Sequence, residues 1–229
     1  MALYAIGDLH LSLSDPGKSM EVFGGRWTDY VQKIERGFSL LADEDTCVLC
    51  GDLMWGMSLD HCLEDFRFLA RLPGKKLIVK GNHDFWWTTA SKLYQFLEQN
   101  DLSGFEVLHN NCISYGDFAL CGTRGWFFEE EKGAEHDRKI MLREIGRLET
   151  SLKAAGDREK LVFLHYPPIF QKYECPELLQ LLSVFSVKLC CYGHIHGKGR
   201  KLSFNGWRGC TEFKLVSADH VDFTPVKIL

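Results

Sequence analysis

The feature that most constrains this chain is a recurrence: a short apolar run of β-type residues that stops at glycine or at a residue able to bind a metal ion. Leu3 to Ile6 runs into Gly7-Asp8-Leu9-His10, and Thr46 to Cys50 into Gly51-Asp52. Leu77 to Val79 leads through Lys80 into Gly81-Asn82-His83-Asp84. Leu161 to Leu164 runs into His165, and Leu189 to Tyr192 into Gly193-His194-Ile195-His196. Continuous runs of this length suit strands buried on both faces. Between several of them lie apolar stripes of helical period: Trp27, Val31, Ile34, Phe38 and Leu41; Leu59, Leu63, Phe66 and Leu69, with Ser58 as N-cap; Ala90, Leu93, Tyr94 and Leu97; and Met141, Ile145, Leu148 and Leu152, ending near Gly156. Strands alternating with helices indicate an α/β fold.

Two regions break the alternation. Glu106 to Gly122 reads as a hairpin around Tyr115-Gly116-Asp117-Phe118, and Trp207 to Leu229 reads as antiparallel strands turning near Ala218-Asp219. Leu11 to Arg26, rich in Ser and Gly, is expected to be a surface loop beside the first ligand motif. No Pro/Ser-rich linker or repeat divides the 229 residues, so 1–229 is read as one domain of mixed sheets packed between helical layers.

In open α/β sheets, ligands bind outside the carboxyl ends of the strands. Five strands here deliver Asp8, His10, Asp52, Asn82, His165, His194 and His196 at that end. One histidine after a strand would most simply be structural; seven groups of matching chemistry at successive strand ends point to a metal site. Imidazole, carboxylate and amide carbonyl together suit Mn, Fe or Zn rather than a closed thiolate zinc site. None of the cysteines follows these motifs. Cys47-Val-Leu-Cys50 lies inside a strand-like run where residues three apart face opposite ways, and Cys190-Cys191 lies inside another, so buried thiols are expected.

Composition narrows the partners. A net charge of -4 argues against a general nucleic-acid or membrane-surface binder, and no apolar run approaches the ~18–20 residues a membrane span needs. Nine scattered cysteines without framework spacing fit a reducing compartment. The expectation is a soluble, cytoplasmic protein acting on a small substrate.

The five blocks resemble those of the calcineurin-like metallophosphoesterases, and the chain is similar to the family's small bacterial-type phosphohydrolases. The family pattern is D-x-H, G-D, G-N-H-[DE], a lone His, then G-H-x-H. It appears here in order as Asp8-Leu9-His10, Gly51-Asp52, Gly81-Asn82-His83-Asp84, His165 and Gly193-His194-Ile195-His196. The resemblance covers residues 3 to 196 and implies a four-layer α/β/β/α sandwich with a dinuclear site at the strand ends. By that analogy Asp8, His10 and His196 hold one ion, Asn82, His165 and His194 hold the second, and Asp52 bridges both. Two divalent or mixed-valence ions (Mn, Fe or Zn) are implied. Within Gly-His-x-His, residues i and i+2 of an extended segment lie on one face ~6.5 Å apart, so each can reach its own ion of a pair spaced ~3.5–4 Å. The implied reaction is hydrolysis of a phosphomonoester or phosphodiester by a hydroxide bridging the ions, with His83 as general acid beside the metals.

Departures from the pattern separate subfamilies. Protein Ser/Thr phosphatases of this family carry a longer second block, GDxVDRG; here it reads Gly51-Asp52-Leu53-Met54-Trp55-Gly56, without the phosphate-gripping Arg. Arg124, between Gly122 and Gly125, is the candidate replacement, with a surface ion pair as its alternative role. A non-catalytic scaffold on the same fold would be marked by degenerate ligands, and all seven are kept. Hydrolysis of a non-phosphate substrate such as a lactam would bring H-x-H-x-D-H, which is absent. Asp15-Pro16-Gly17-Lys18-Ser19 mimics the end of a P-loop, but Ser12 stands where the first glycine belongs. His61, His109, His136 and His220 match no block. Trp55, Phe85-Trp86-Trp87 and Trp126-Phe127-Phe128 sit close to ligand or cation positions, so at least one ring is expected to line the pocket.

Overall fold

The computed structural model describes residues 1–126 and 134–229. Two mixed sheets lie face to face. The first has five strands, β1 (Leu3–Ile6), β2 (Thr46–Cys50), β3 (Lys75–Val79), β4 (Phe105–Val107) and β13 (Val226–Lys227), in the order β13-β1-β2-β3-β4. The second has six, β5 (Cys112–Tyr115), β6 (Phe118–Thr123), β7 (Glu159–Leu164), β10 (Leu189–Tyr192), β11 (Gly206–Arg208) and β12 (Thr211–Leu215), in the order β11-β12-β10-β7-β6-β5. A minor hairpin joins β8 (Ile169–Phe170) to β9 (Tyr173–Glu174). Within the first sheet β1 to β4 are parallel, and within the second β6, β7, β10 and β12 are parallel.

Alternation along the strands sorts side chains into three apolar layers. Leu3, Ala5, Val48, Cys50, Leu77 and Val79 face Leu120, Leu161, Phe163 and Cys191 across the inter-sheet layer. On its outer face the first sheet packs Ile6, Cys47, Leu49 and Ile78 against α1 (Tyr30–Phe38), α2 (Leu63–Arg71) and α3 (Ala90–Gln99), through Ile34, Phe38, Phe66, Leu69, Leu93 and Leu97. The second sheet packs Val162, Leu164 and Cys190 against α4 (Ala134–Ala154) and α5 (Pro176–Val184), through Met141, Leu148, Leu152, Leu178 and Leu182. The architecture is therefore the expected α/β/β/α sandwich. Cys47 and Cys50 do point to opposite faces, and all nine cysteines are free. Among the described residues no helix is long and apolar enough to cross a membrane.

Three local expectations need correction. The hairpin reading around Tyr115 is right at its turn, where Tyr115 pairs with Phe118, but Glu106 belongs to β4 of the other sheet. The tail is not one antiparallel unit: β11 and β12 form a hairpin turning at Gly209-Cys210, whereas β13 crosses to pair with β1. Ser58 is not the cap of α2: its hydroxyl accepts from the His61 amide at 3.3 Å beside a 3-10 turn, Asp60–Cys62, whose N-cap is Leu59, and α2 begins only afterwards. The sequence reading did not place α5, whose signals are Pro176 in the first turn and Leu178 and Leu182 one turn apart.

Parallel strands in both sheets put all their carboxyl ends on one rim. There the sheets are stitched by backbone: Gly7 donates to the Val216 carbonyl at 2.8 Å, and Ala218 donates to the Gly7 carbonyl at 2.9 Å.

Candidate metal centre

Each ligand-type residue sits one to four positions beyond a strand end, where the chain must turn sharply. Asp8, His10, Asp52 and His194 all adopt left-handed backbone, with φ of 59°, 47°, 51° and 71°. Such conformations cost non-glycine residues roughly 1–3 kcal/mol each and persist where the surroundings over-determine them. The preceding glycines make room for the turns. A Cβ on Gly193 would lie 2.5 Å from Asp8 Oδ2, and one on Gly81 would overlap the Asp52 amide and carboxylate. Glycine is thus required in these blocks by close approach of a carboxylate, not by turn preference alone.

The residues converge as two groups, Asp8 with His10 and His196, and Asp52 with His165 and His194. In the first, His10 Nε2 stands 3.2 Å from His196 Nε2, which is 3.3 Å from Asp8 Oδ1. In the second, Asn82 Oδ1 lies 2.6 Å from His165 Nε2 and 3.0 Å from His194 Nδ1. Asp52 Oδ2 is 3.5 Å from His165 Nε2 and 3.9 Å from His10 Nε2, so this one oxygen faces both groups. All seven residues singled out by the sequence are brought together.

The donor set fits divalent cations on chemical grounds. His165 Nδ1 donates to the Cys50 carbonyl at 3.0 Å, which leaves Nε2 as a lone pair aimed at Asn82 Oδ1. Burial lowers the pKa of His165, and burial with His165 beside it lowers that of His194 to about 3, so both imidazoles are held in the neutral, ligating form. Two acceptors 2.6 Å apart in a dry site repel unless a cation lies between them. Burial works against ionised Asp52 and Asp8 adds repulsion, raising Asp52 to about 8. Burial and repulsion thus oppose charging both carboxylates together, and a cation between them would relieve that opposition.

Surrounding groups position the ligands. The Asp84 carboxylate accepts from the amides of Gly81 (2.7 Å), Asp52 (3.0 Å) and Leu53 (2.8 Å) and from Trp86 Nε1 (3.2 Å), tying the second and third blocks together. His83 donates its amide to Asp52 Oδ1 at 2.7 Å, and its ring centroid lies 5.8 Å from that of His10, 4.7 Å from Trp55 and 5.9 Å from Phe85.

Asp219 was missed. It is buried, 3.3 Å from His196 Nδ1, and it accepts from the Gly197 amide at 2.9 Å and pairs with Arg200 Nε at 3.0 Å. Burial opposes a charged His196, yet Asp8 and Asp219 on its two sides raise its pKa to about 10. The antiparallel reading of the tail hid this residue. Because β12 runs parallel to β10, the chain after Leu215 rises beside Gly193-His196 and delivers Asp219 to the same rim.

Among the aromatics, Trp55 stacks on His10 with centroids 4.9 Å apart and planes at 23°. Trp86 and Trp87 are core residues, whereas Phe85 is exposed; Phe127 and Phe128 lie outside the described residues. Arg124 follows β6, and its carbonyl accepts from the His165 and Tyr166 amides at 3.1 and 2.9 Å. Its guanidinium lies 5.0 Å from the Trp126 ring centroid and 3.8 Å from Glu144 Oε1, a half-buried pairing with a buried carboxylate and not a surface ion pair.

A two-sheet sandwich whose parallel strands present two His/carboxylate clusters on a common rim has two groups of residues able to hold metal ions there. The model of the calcineurin-like phosphoesterase family matches residues 1–198, and the chain belongs to that family. Similar solved structures include a protein of unknown function from Aquifex aeolicus, 17% identical, with 99% of this chain and 95% of that chain covered and a TM-score of 0.51. Phosphopantetheinyl hydrolase from Mycobacterium tuberculosis is 14% identical, with 100% and 95% covered and a TM-score of 0.64. At these identities the likeness is one of fold. No curated protein matches the chain.

Proposed function

We propose that this protein is a dinuclear metal-dependent phosphoesterase that hydrolyses a small phosphomonoester or phosphodiester. The observation that carries the reading is Asp52 Oδ2 facing both ligand groups, 3.5 Å from His165 Nε2 and 3.9 Å from His10 Nε2. Asp8, His10 and His196 would hold one ion, Asn82, His165 and His194 the other, with Asp52 shared. Two divalent ions there supply Lewis acidity toward phosphoryl oxygens and toward water. Asp8 and Asp52 are the carboxylates of the ligand set, so the loaded centre is net positive and favours an anionic phosphate. Asp219 orients His196 through Nδ1, leaving Nε2 for the ion. His83 is held at the centre by the hydrogen bond that its backbone amide donates to Asp52 Oδ1, and its imidazole protonates the departing alkoxide.

Arg124, whose backbone carbonyl accepts from the His165 amide, steadies an anionic part of the substrate. Replacing it with Ala raises KM several-fold and leaves metal content unchanged; equal KM values sink that assignment. The family membership supports phosphoester chemistry. The deciding experiment loads metal-stripped protein with Mn, Fe or Zn and assays monoesters and diesters against a no-metal control. Saturation at two metals per chain with metal-dependent turnover is expected. One metal per chain, or turnover indifferent to metal, rejects the reading.

A further inference from the structure

Exposed apolar side chains on a protein surface are ordinarily scattered, and a cluster of them marks a binding surface. Here Val22, Phe23, Met57 and Phe85, exposed by 76%, 72%, 59% and 51%, line one groove of about 450 Å³ together with Trp55. Three segments build it: the 3-10 turn Met20–Phe23 after the first ligand block, Trp55 and Met57 after the second, and Phe85 after the third. The same loops that carry metal ligands therefore carry its walls.

Two rings of the groove wall also pack against the metal centre. Trp55 stacks on His10 at 4.9 Å and meets His83 at 4.7 Å, and Phe85 meets His83 edge-on at 5.9 Å. The groove's Trp55 and Phe85 walls therefore flank His83, the proposed acid that hands a proton to the leaving group. Its single charged lining residue, Lys18, is paired with Asp15 at 3.4 Å, so the groove offers little to a second phosphate or a sugar hydroxyl array.

We propose that this groove binds an apolar leaving group, making phosphoesters of hydrophobic alcohols the preferred substrates. The inference rests on the phosphoesterase reading above and adds the substrate class to it. Burying a methylene fully is worth roughly a fourfold gain in binding, and a groove open along one side returns part of that.

A series of primary alkyl phosphates from methyl to octyl tests this, because the leaving alcohols have nearly equal basicity and the chemistry stays constant. With metal-loaded protein below micellar concentrations, kcat/KM rises about two- to fourfold per methylene. Phe23→Ser and Met57→Ser, both at exposed positions that contribute nothing to the core, each lower the octyl-to-methyl ratio tenfold or more. A flat series, or a ratio that neither variant moves, overturns the groove assignment while leaving the phosphoesterase reading intact. Metal-dependent turnover of no ester, short or long, overturns both. A flat series together with a dimer in sedimentation that Phe23→Ser dissolves assigns the face to a second copy of this chain instead.

Discussion

The two ends of the same strands treat buried polar groups in opposite ways. At the carboxyl ends, Asp8, Asp52, Asp84, His165 and Asp219 are almost completely buried, yet they contact one another, backbone amides or both within a few ångströms. At the amino ends, Lys76 of β3 is also buried, on the helix-facing side of the first sheet, and among the described residues its ammonium donates to the Leu72 carbonyl alone. A buried charge is costly unless it is paired and hydrogen-bonded. One rim has converted that cost into a preorganised cage of lone pairs; the other bears it. The contrast teaches that burial alone does not mark a site: convergence of several complementary groups does.

The largest effect should come from the residue common to both ligand groups. Asp52→Asn is expected to empty both metal positions together and to abolish turnover, a greater loss than the roughly 10–100-fold that changes outside the ligand set cause. Metal analysis of the variant checks this. Retention of one full equivalent would divide the rim into independent halves and break the comparison.

His83→Ala comes next. It should keep both metals and lose about 10²–10⁴-fold on alkyl esters, with a much smaller loss on aryl esters whose leaving groups need no proton. Equal losses on both ester types would reduce His83 to a loop-closing residue.

The positions of these two residues were legible in the sequence, as were five of the parallel strands, four of the helices and the seven ligand-type residues that the fold gathers on one rim. Each site signal was local: an apolar run, then a ligand-type residue within four positions, with a glycine before it in every block but that of His165. What escaped was non-local. Asp219 carries no motif of its own, and its role depends on β12 running parallel to β10 rather than returning on itself. A period-2 pattern does not encode strand direction. The groove formed by Phe23, Met57 and Phe85 escaped for the same reason, since only the fold brings the three loops together.

Asp219→Asn measures how much of the carboxyl-end order lies outside the ligands. The amide keeps its size and one acceptor, but it loses the charge that polarises His196. Affinity at one metal position should fall about 10–100-fold while the other is nearly unaffected. Competition titration with a chelator reads the two positions separately. An equal fall at both would mean that Asp219 supports the rim as a whole.

Lys76 tests the other end of the comparison and should give the smallest effect. Burial lowers its pKa from 10.5 to about 8, with Cys47 and Asp43 opposing the shift. The unfolded chain therefore holds this proton more tightly than the folded one. The penalty is fully present at pH 7 and fades as pH rises from about 8 toward 10.5, so this residue makes stability increase with pH across that window. Lys76→Met removes the charge and keeps most of the volume, but it strands the Leu72 carbonyl that the ammonium now satisfies. A shift of this size corresponds to about 3 kcal/mol, and an unsatisfied buried carbonyl takes back about 1–2. A net gain of about 1–2 kcal/mol at pH 7 is expected, narrowing to nothing or reversing by pH 10. Denaturant unfolding of both proteins at pH 7 and pH 10 isolates the difference, because every other titrating group is shared. A variant less stable at pH 7 would show that the amino-end charge is compensated after all, and that the two rims differ in function rather than in how they bear burial.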